Sequence, residues 1–161
     1  MALKVGDVAP DFKVPATTGE DEADFHLANY RGKKNVVIVF FPAAFTSVCS
    51  LELAGLQADI SKFAGNGAEV VGISTDSVPA QIAFQEKLGG LSFPLASDRW
   101  PYAKTGEAYG VFPAAKHNLA PFNDRAVFVV DKQGKIAWFK IYPASEEPDT
   151  DEVLDVLKKL A

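Results

Sequence analysis

The sequence predicts an α/β fold: a mixed β-sheet flanked by helices on both faces, with an N-terminal hairpin extension. Three observations predict it. Val36–Phe41 is a run of six consecutive apolar residues rich in β-branched types, which suits a strand buried on both faces, and Glu69–Thr75 is a second buried strand. A stretch of helical period lies between them, so the two strands pair in parallel through a right-handed crossover. Near the C-terminal end, Ala126–Val130 and Ile136–Lys140 bracket Asp131-Lys132-Gln133-Gly134, a hairpin turn that adds antiparallel pairing to the sheet.

The elements follow in order. Phe12–Val14 and Asp24–Leu27 form short strands of a hairpin around the polar, turn-rich stretch from Pro15 to Glu22. Arg31–Asn35 is a turn that delivers the first core strand, and Pro42 ends that strand. From Ser47 to Ala64, the apolar residues Leu53, Leu56, Ile60 and Phe63 recur at spacings of three and four, and Gly65-Asn66-Gly67 stops the helix. After the strand Glu69–Thr75, Asp76-Ser77-Val78-Pro79 starts a second helix with Pro in its first turn. Ile82, Phe84 and Leu88 mark its length, and Gly89-Gly90 ends it. Phe93–Ala96 is a short strand and residues 103–109 a short helix. Asp149–Ala161 is the last helix, with Asp149 as its cap, Glu152 completing a capping box, and Val153, Leu154, Val156, Leu157 and Leu160 as its apolar residues. This order is compatible with a thioredoxin-like fold, although periodicity alone leaves several α/β arrangements open.

Length and charge narrow the function. The chain has 161 residues, enough for one domain spanning 1–161 with a core that needs no disulfides. Its 16 Lys and Arg against 21 Asp and Glu give a net charge of −5, which argues against nucleic acid and anionic membrane surfaces as partners. No apolar run reaches the length of a membrane span, and the first residues lack the layout of a signal peptide. A single cysteine, Cys49, cannot form an intrachain disulfide, so the chain reads as cytoplasmic. One Cys and two His, His26 and His117, argue against a structural zinc site, and no cofactor is expected.

Cys49 falls at the first turn of the helix fed by the first core strand. The exposed N–H groups and partial positive charge of a helix N-terminus favour thiolate over thiol, and the thiolate is the nucleophile. Thr46 is placed to cap this helix with its hydroxyl near the sulfur. The alternative is a small buried hydrophobe, the commonest role of a lone cysteine.

The string Pro42-Ala43-Ala44-Phe45-Thr46-Ser47-Val48-Cys49 contains Pro-x-x-x-Thr-x-x-Cys directly after an apolar strand. It resembles the peroxidatic motif of the peroxiredoxins, and the resemblance runs along nearly the whole chain. Val5–Phe12 is similar to the family's opening, Tyr30–Lys33 to the approach to its first core strand, and Ser97–Pro101 and Ala108–Val111 to later signatures. Asn123–Asp131 resembles the stretch carrying its active-site arginine. Within the family, the Phe-Phe-Pro-x-Ala-Phe-Thr string and the Trp100-Pro101 segment are similar to the one-cysteine alkyl hydroperoxide reductase E type.

The resemblance implies a thiol-dependent peroxidase acting on hydrogen peroxide or organic hydroperoxides. Cys49 would be the peroxidatic nucleophile, passing to sulfenic acid. Arg125 would hold the peroxide and stabilise the thiolate. Thr46 would offer its hydroxyl to peroxide and sulfur, and Pro42 would shape a pocket wall that excludes water. Glu52, one helical turn beyond Cys49, would be the supporting acid that orients the arginine. The simpler readings are a surface Arg at a strand start, a plain cap, a strand terminator and a solvated Glu. No role falls to His26 or His117. Trp100, Tyr109, Phe45 and Phe112 are core or subunit contacts, and the resemblance implies a homodimer or higher homo-oligomer.

The chain departs from two-cysteine relatives, since no Cys follows Cys49 and Ala54 stands where one subgroup has a resolving cysteine. The reductant is then an external thiol: a thioredoxin, a glutaredoxin-like protein or a low-molecular-weight thiol. A thioredoxin-type dithiol mechanism is set aside because Thr46 occupies the position of its first cysteine. A peroxide sensor or redox-switched binding protein using the same Cys49 is the alternative from another class, and a purely structural module a third.

Overall fold

The computed structural model describes residues 3–18, 21–114, 122–143 and 145–160. Its centre is a seven-stranded sheet of order β2-β1-β5-β4-β3-β6-β7. The strands are β1 (Lys13–Thr18), β2 (Asp21–His26), β3 (Asn35–Phe40), β4 (Ala68–Ser74), β5 (Leu95–Ser97), β6 (Arg125–Val130) and β7 (Ile136–Tyr142). β3, β4 and β5 are parallel, while β6 and β7 on one side and β1 and β2 on the other pair antiparallel. The expected mixed thioredoxin-like sheet is therefore present.

β3 shows why the sequence forms a core. All six of its residues are buried, and the five apolar ones, Val36 to Phe40, alternate between two apolar clusters. Val37 and Val39, with Phe41 beyond them, pack against Leu53, Phe63, Phe84 and Leu157 on one face. Val36, Ile38 and Phe40 pack against Phe12, Phe25, Tyr109 and Phe128 on the other. The first face is covered by α1 (Ser47–Ala58), α2 (Ile60–Gly65), α3 (Val78–Lys87) and α5 (Thr150–Leu160). Leu27 of a 3-10 helix (Leu27–Tyr30) and Tyr109, just after α4 (Lys104–Ala108), contribute to the second.

Four details differ from the sequence reading. The hairpin strands β1 and β2 are longer than expected and take in most of the stretch read as turn. The reason is tertiary: Thr17 is buried, its hydroxyl accepting from the Leu95 N–H at 3.0 Å and donating to Gln85 Oε1 at 3.0 Å. The helix expected over Ser47–Ala64 breaks at Asp59, whose carboxylate accepts from Thr150 Oγ1 at 2.9 Å and pairs with Lys62 at 3.2 Å. Asp149 does cap α5, accepting from the Asp151 N–H at 3.0 Å, but Glu152 closes no capping box. Its carboxylate instead accepts from Tyr142 Oη at 3.3 Å and Lys140 Nζ at 3.4 Å, anchoring α5 to β7. Thr46 occupies the cap position of α1 in extended backbone, yet its side chain makes no cap bond.

Candidate active site

The topology brings Cys49 and Arg125 together from far apart in sequence. β3 and β6 are antiparallel neighbours in which Phe40 faces Ala126, so the end of β3 lies beside the start of β6. The chain leaving β3 turns through Pro42–Thr46 and enters α1, which carries Cys49 in its first turn. Arg125 opens β6. Its Nη1 donates to Cys49 Sγ at 3.2 Å and to Glu52 Oε2 at 2.7 Å. Cys49 is fully buried, and Glu52 and Arg125 are each only 2% exposed.

Burial sets the electrostatics. One guanidinium serves two groups that can each carry a negative charge, all three side chains being shielded from bulk solvent. Burial pushes the Glu52 carboxyl up to about 7. The charge and hydrogen bond of Arg125 pull it back, and the charge of Glu147 adds to the rise. Burial lowers the affinity of Arg125 for its proton, but Glu52 and Cys49 outweigh that, so its pKa lies above the ordinary value and the cation is secure. The second carboxylate oxygen, Glu52 Oε1, has no partner among the described residues. Beside Glu52 lies a cavity of about 10 Å³ whose walls include Val37, Val39, Leu56, Val127 and Val153.

The remaining expected site residues are placed as follows. Pro42 is buried and Thr46 exposed. The Thr46 hydroxyl donates to the Ala43 carbonyl at 2.9 Å, closing the turn that precedes α1. The Thr46 carbonyl accepts from the Ser50 backbone N–H at 3.0 Å and from its hydroxyl at 2.8 Å. Phe45 holds φ +66, a left-handed conformation uncommon for a residue with a side chain. His26 pairs with Asp11 at 2.8 Å away from this cluster, and His117 lies outside the described residues. Trp100 is 85% exposed, whereas Tyr109 is buried with its hydroxyl donating to the Pro10 carbonyl at 2.6 Å.

One participant escaped the sequence reading. Asp76, read as part of a helix start, directs its Oδ2 to the Ala44 N–H at 2.8 Å. The expected helix start is present, with Ser77 capping α3 by accepting from the Ala80 N–H at 3.3 Å. The available signal was position: Asp76 follows the C-terminal end of a parallel strand, where sites of open α/β sheets collect.

The AhpC/TSA family model matches residues 5–139. The chain belongs to this family. Alkyl hydroperoxide reductase E of Mycobacterium tuberculosis is 35% identical over 158 residues, covering 98% of each chain. Peroxiredoxin tpx1 of Schizosaccharomyces pombe is 34% identical over 163 residues, covering 98% of this chain and 81% of the other. The solved structure of Mycobacterium tuberculosis AhpC superposes with a TM-score of 0.86 at 27% identity, covering 99% of this chain and 94% of the other. The protein is thus a peroxiredoxin, an oxidoreductase of the thiol-dependent peroxidase class. Among the described residues, no helix is long and apolar enough to cross a membrane, and no group of three His, Cys, Asp or Glu could hold a metal ion.

Proposed function

We propose that the chain, acting as one domain, reduces hydrogen peroxide or organic hydroperoxides by a one-cysteine cycle centred on Cys49. The observation that supports this most is the Arg125 guanidinium bonded at once to Cys49 Sγ and Glu52 Oε2 inside the fold. The Cys49 thiolate attacks one peroxide oxygen in line. The O–O bond breaks, sulfur takes the attacked oxygen as sulfenic acid, and the other oxygen leaves as hydroxide or alkoxide and takes up a proton. Negative charge moves from sulfur to the leaving oxygen, and Arg125 supplies a fixed cation beside that path. Glu52 fixes the guanidinium plane. Thr46 presents its hydroxyl at the mouth of the site, and Pro42, which has no N–H, walls it on the inner side.

The sulfenic acid is then reduced by an external thiol, because this chain has no second cysteine. Trp100, exposed at the edge of a hollow of about 320 Å³, belongs to the surface through which we expect the chain to form a homodimer or larger homo-oligomer.

The test is stopped-flow oxidation of reduced protein by hydrogen peroxide, with intact mass as readout. One oxygen is expected on Cys49, far faster than on free cysteine, and none on Cys49→Ser. Reaction no faster than free cysteine overturns the reading. Repeated turnover with a dithiol separates a peroxidase from a sensor, which is oxidised once.

A further inference from the structure

We propose that Asp76 is a positioning residue for peroxide reduction, its carboxylate holding the turn that leads from β3 into α1 in the shape that places Thr46 at the entrance of the Cys49 helix. The proposal rests on the reading of Cys49 as the peroxide-reducing thiol.

The clamp is built from both sides. Asp76 Oδ2 accepts from the Ala44 N–H at 2.8 Å and from Ser74 Oγ at 2.6 Å. Ser74 is fully buried, and its hydroxyl also accepts from Gln81 Nε2 at 2.9 Å. Gln81, likewise fully buried, donates to the Ala96 carbonyl at 2.9 Å. Ser97 Oγ donates to the Asp76 carbonyl at 2.7 Å. Asp76 is therefore tied to β4, β5 and α3 before it reaches the turn, and this chain of bonds contains no flexible long side chain at the contact itself.

On the other side the turn is under strain. Phe45 sits at φ +66 between Ala44, held by Asp76, and Thr46, whose hydroxyl closes on Ala43. A phenylalanine in this region is strained and stays there only while its surroundings hold it. Its ring packs on Phe84 at 5.2 Å between centroids, with Lys87 Nζ at 5.6 Å. Those contacts fix where the ring rests; the Asp76 bond fixes the peptide just before it. Without the bond, the strain at Phe45 is relieved by rotation of the turn, and Thr46, one residue on, is the first group to move. Cys49, three residues beyond Thr46, is held separately by its packing in the buried apolar cluster.

The distinction gives the test. Reaction with peroxide needs the turn and Thr46 in place, whereas alkylation by iodoacetamide needs the sulfur but no oriented peroxide. In single turnovers without reductant, Asp76→Ala is expected to lower the rate constant for oxidation of Cys49 by hydrogen peroxide roughly tenfold to a hundredfold. Its alkylation rate is expected to stay within about twofold, since that reaction does not use the orientation the turn supplies. Asp76→Asn keeps an acceptor oxygen for the Ala44 N–H and is expected to recover most of the rate. Should Asp76→Ala fail to fold, Ser74→Ala removes one of the bonds aiming the carboxylate and is expected to give a smaller loss with the same selectivity for peroxide. Wild-type oxidation rates in Asp76→Ala, or equal losses in oxidation and alkylation, overturn the proposal. Slow oxidation of the wild-type protein itself would instead overturn the peroxidase reading.

Discussion

At the scale of single residues, the site is a contest over one buried cation. Arg125 donates through the same nitrogen to Cys49 and Glu52, and both groups are buried beside it. Replacing Arg125 by Met removes the donor and leaves both groups buried without it. The rate constant for oxidation by peroxide is expected to fall about 10²- to 10³-fold, the range found when one fixed donor to a developing charge is lost; stopped-flow fluorescence of Trp138 or Trp100 can follow it. Glu52 carries a separate consequence. Its carboxyl titrates at about 7 in the fold, because burial outweighs the help of Arg125, against 4.5 when exposed. The unfolded chain thus gives up this proton more readily than the folded one. Stability from the group is complete below pH 4.5 and is lost as pH rises through 7. Glu52→Gln has no such titration. Between acid and mildly alkaline pH, the wild-type protein is expected to lose about 3 kcal/mol relative to Glu52→Gln. Urea unfolding of both proteins at pH 5 and pH 8 measures the difference, and parallel curves would contradict it.

At the scale of elements, α1 ties the site to the core. Its Leu53 is fully buried in the same apolar cluster as Cys49, Phe41 and Leu157. Leu53→Ala is expected to cost about 2–5 kcal/mol, as deletions of this kind do when the cavity cannot collapse; thermal and urea unfolding check it. The uninterrupted strands were plain in the sequence because their pattern is intrinsic: the apolar runs around Val37 and Val71 can be satisfied only by burial on two faces. The hairpin ends and the break at Asp59 were not, because each is decided by a partner distant in sequence. Gln85 and Leu95 turn Thr17 from a polar turn residue into a buried strand residue. Thr150 does the same to a helix that by periodicity alone continues past Asp59. The helix start at Asp76–Pro79 is present, but the further contact of Asp76 is hidden for the same reason. Beside Ser77 and Pro79 an acidic residue looks like part of a helix start, and only the fold shows that its acceptor faces Ala44.

At the scale of the molecule, the motif residues and the sheet topology divide the work. Cys49 at a helix start capped by Thr46 is legible from the residues because that signal is local, whereas the site roles of Pro42, Thr46 and Arg125 come only through resemblance, and nothing in the neighbourhood of Arg125 points to a thiol. The pairing of β3 with β6 brings them to one place. The same architecture bears on what happens after oxidation. The chain holds one sulfur nucleophile, Cys49, and its side chain is fully buried under α1 and the sheet. Two copies can join only through Cys49 on each, and two such sulfurs cannot meet across a surface that exposes neither. A disulfide also requires its Cβ atoms to approach to about 4 Å. With peroxide and no reductant, the protein is therefore expected to gain one oxygen and then a second, moving to sulfinic acid, rather than to form a linked dimer. Intact mass before and after dithiothreitol follows this course: the first product returns to the reduced mass and the second does not. A non-reducing gel is expected to show a single monomer band throughout. A prominent dimer band sensitive to dithiothreitol would mean that the first turn of α1 opens far enough to bring Cys49 to the surface, and the reducing thiol would then enter by the same opening.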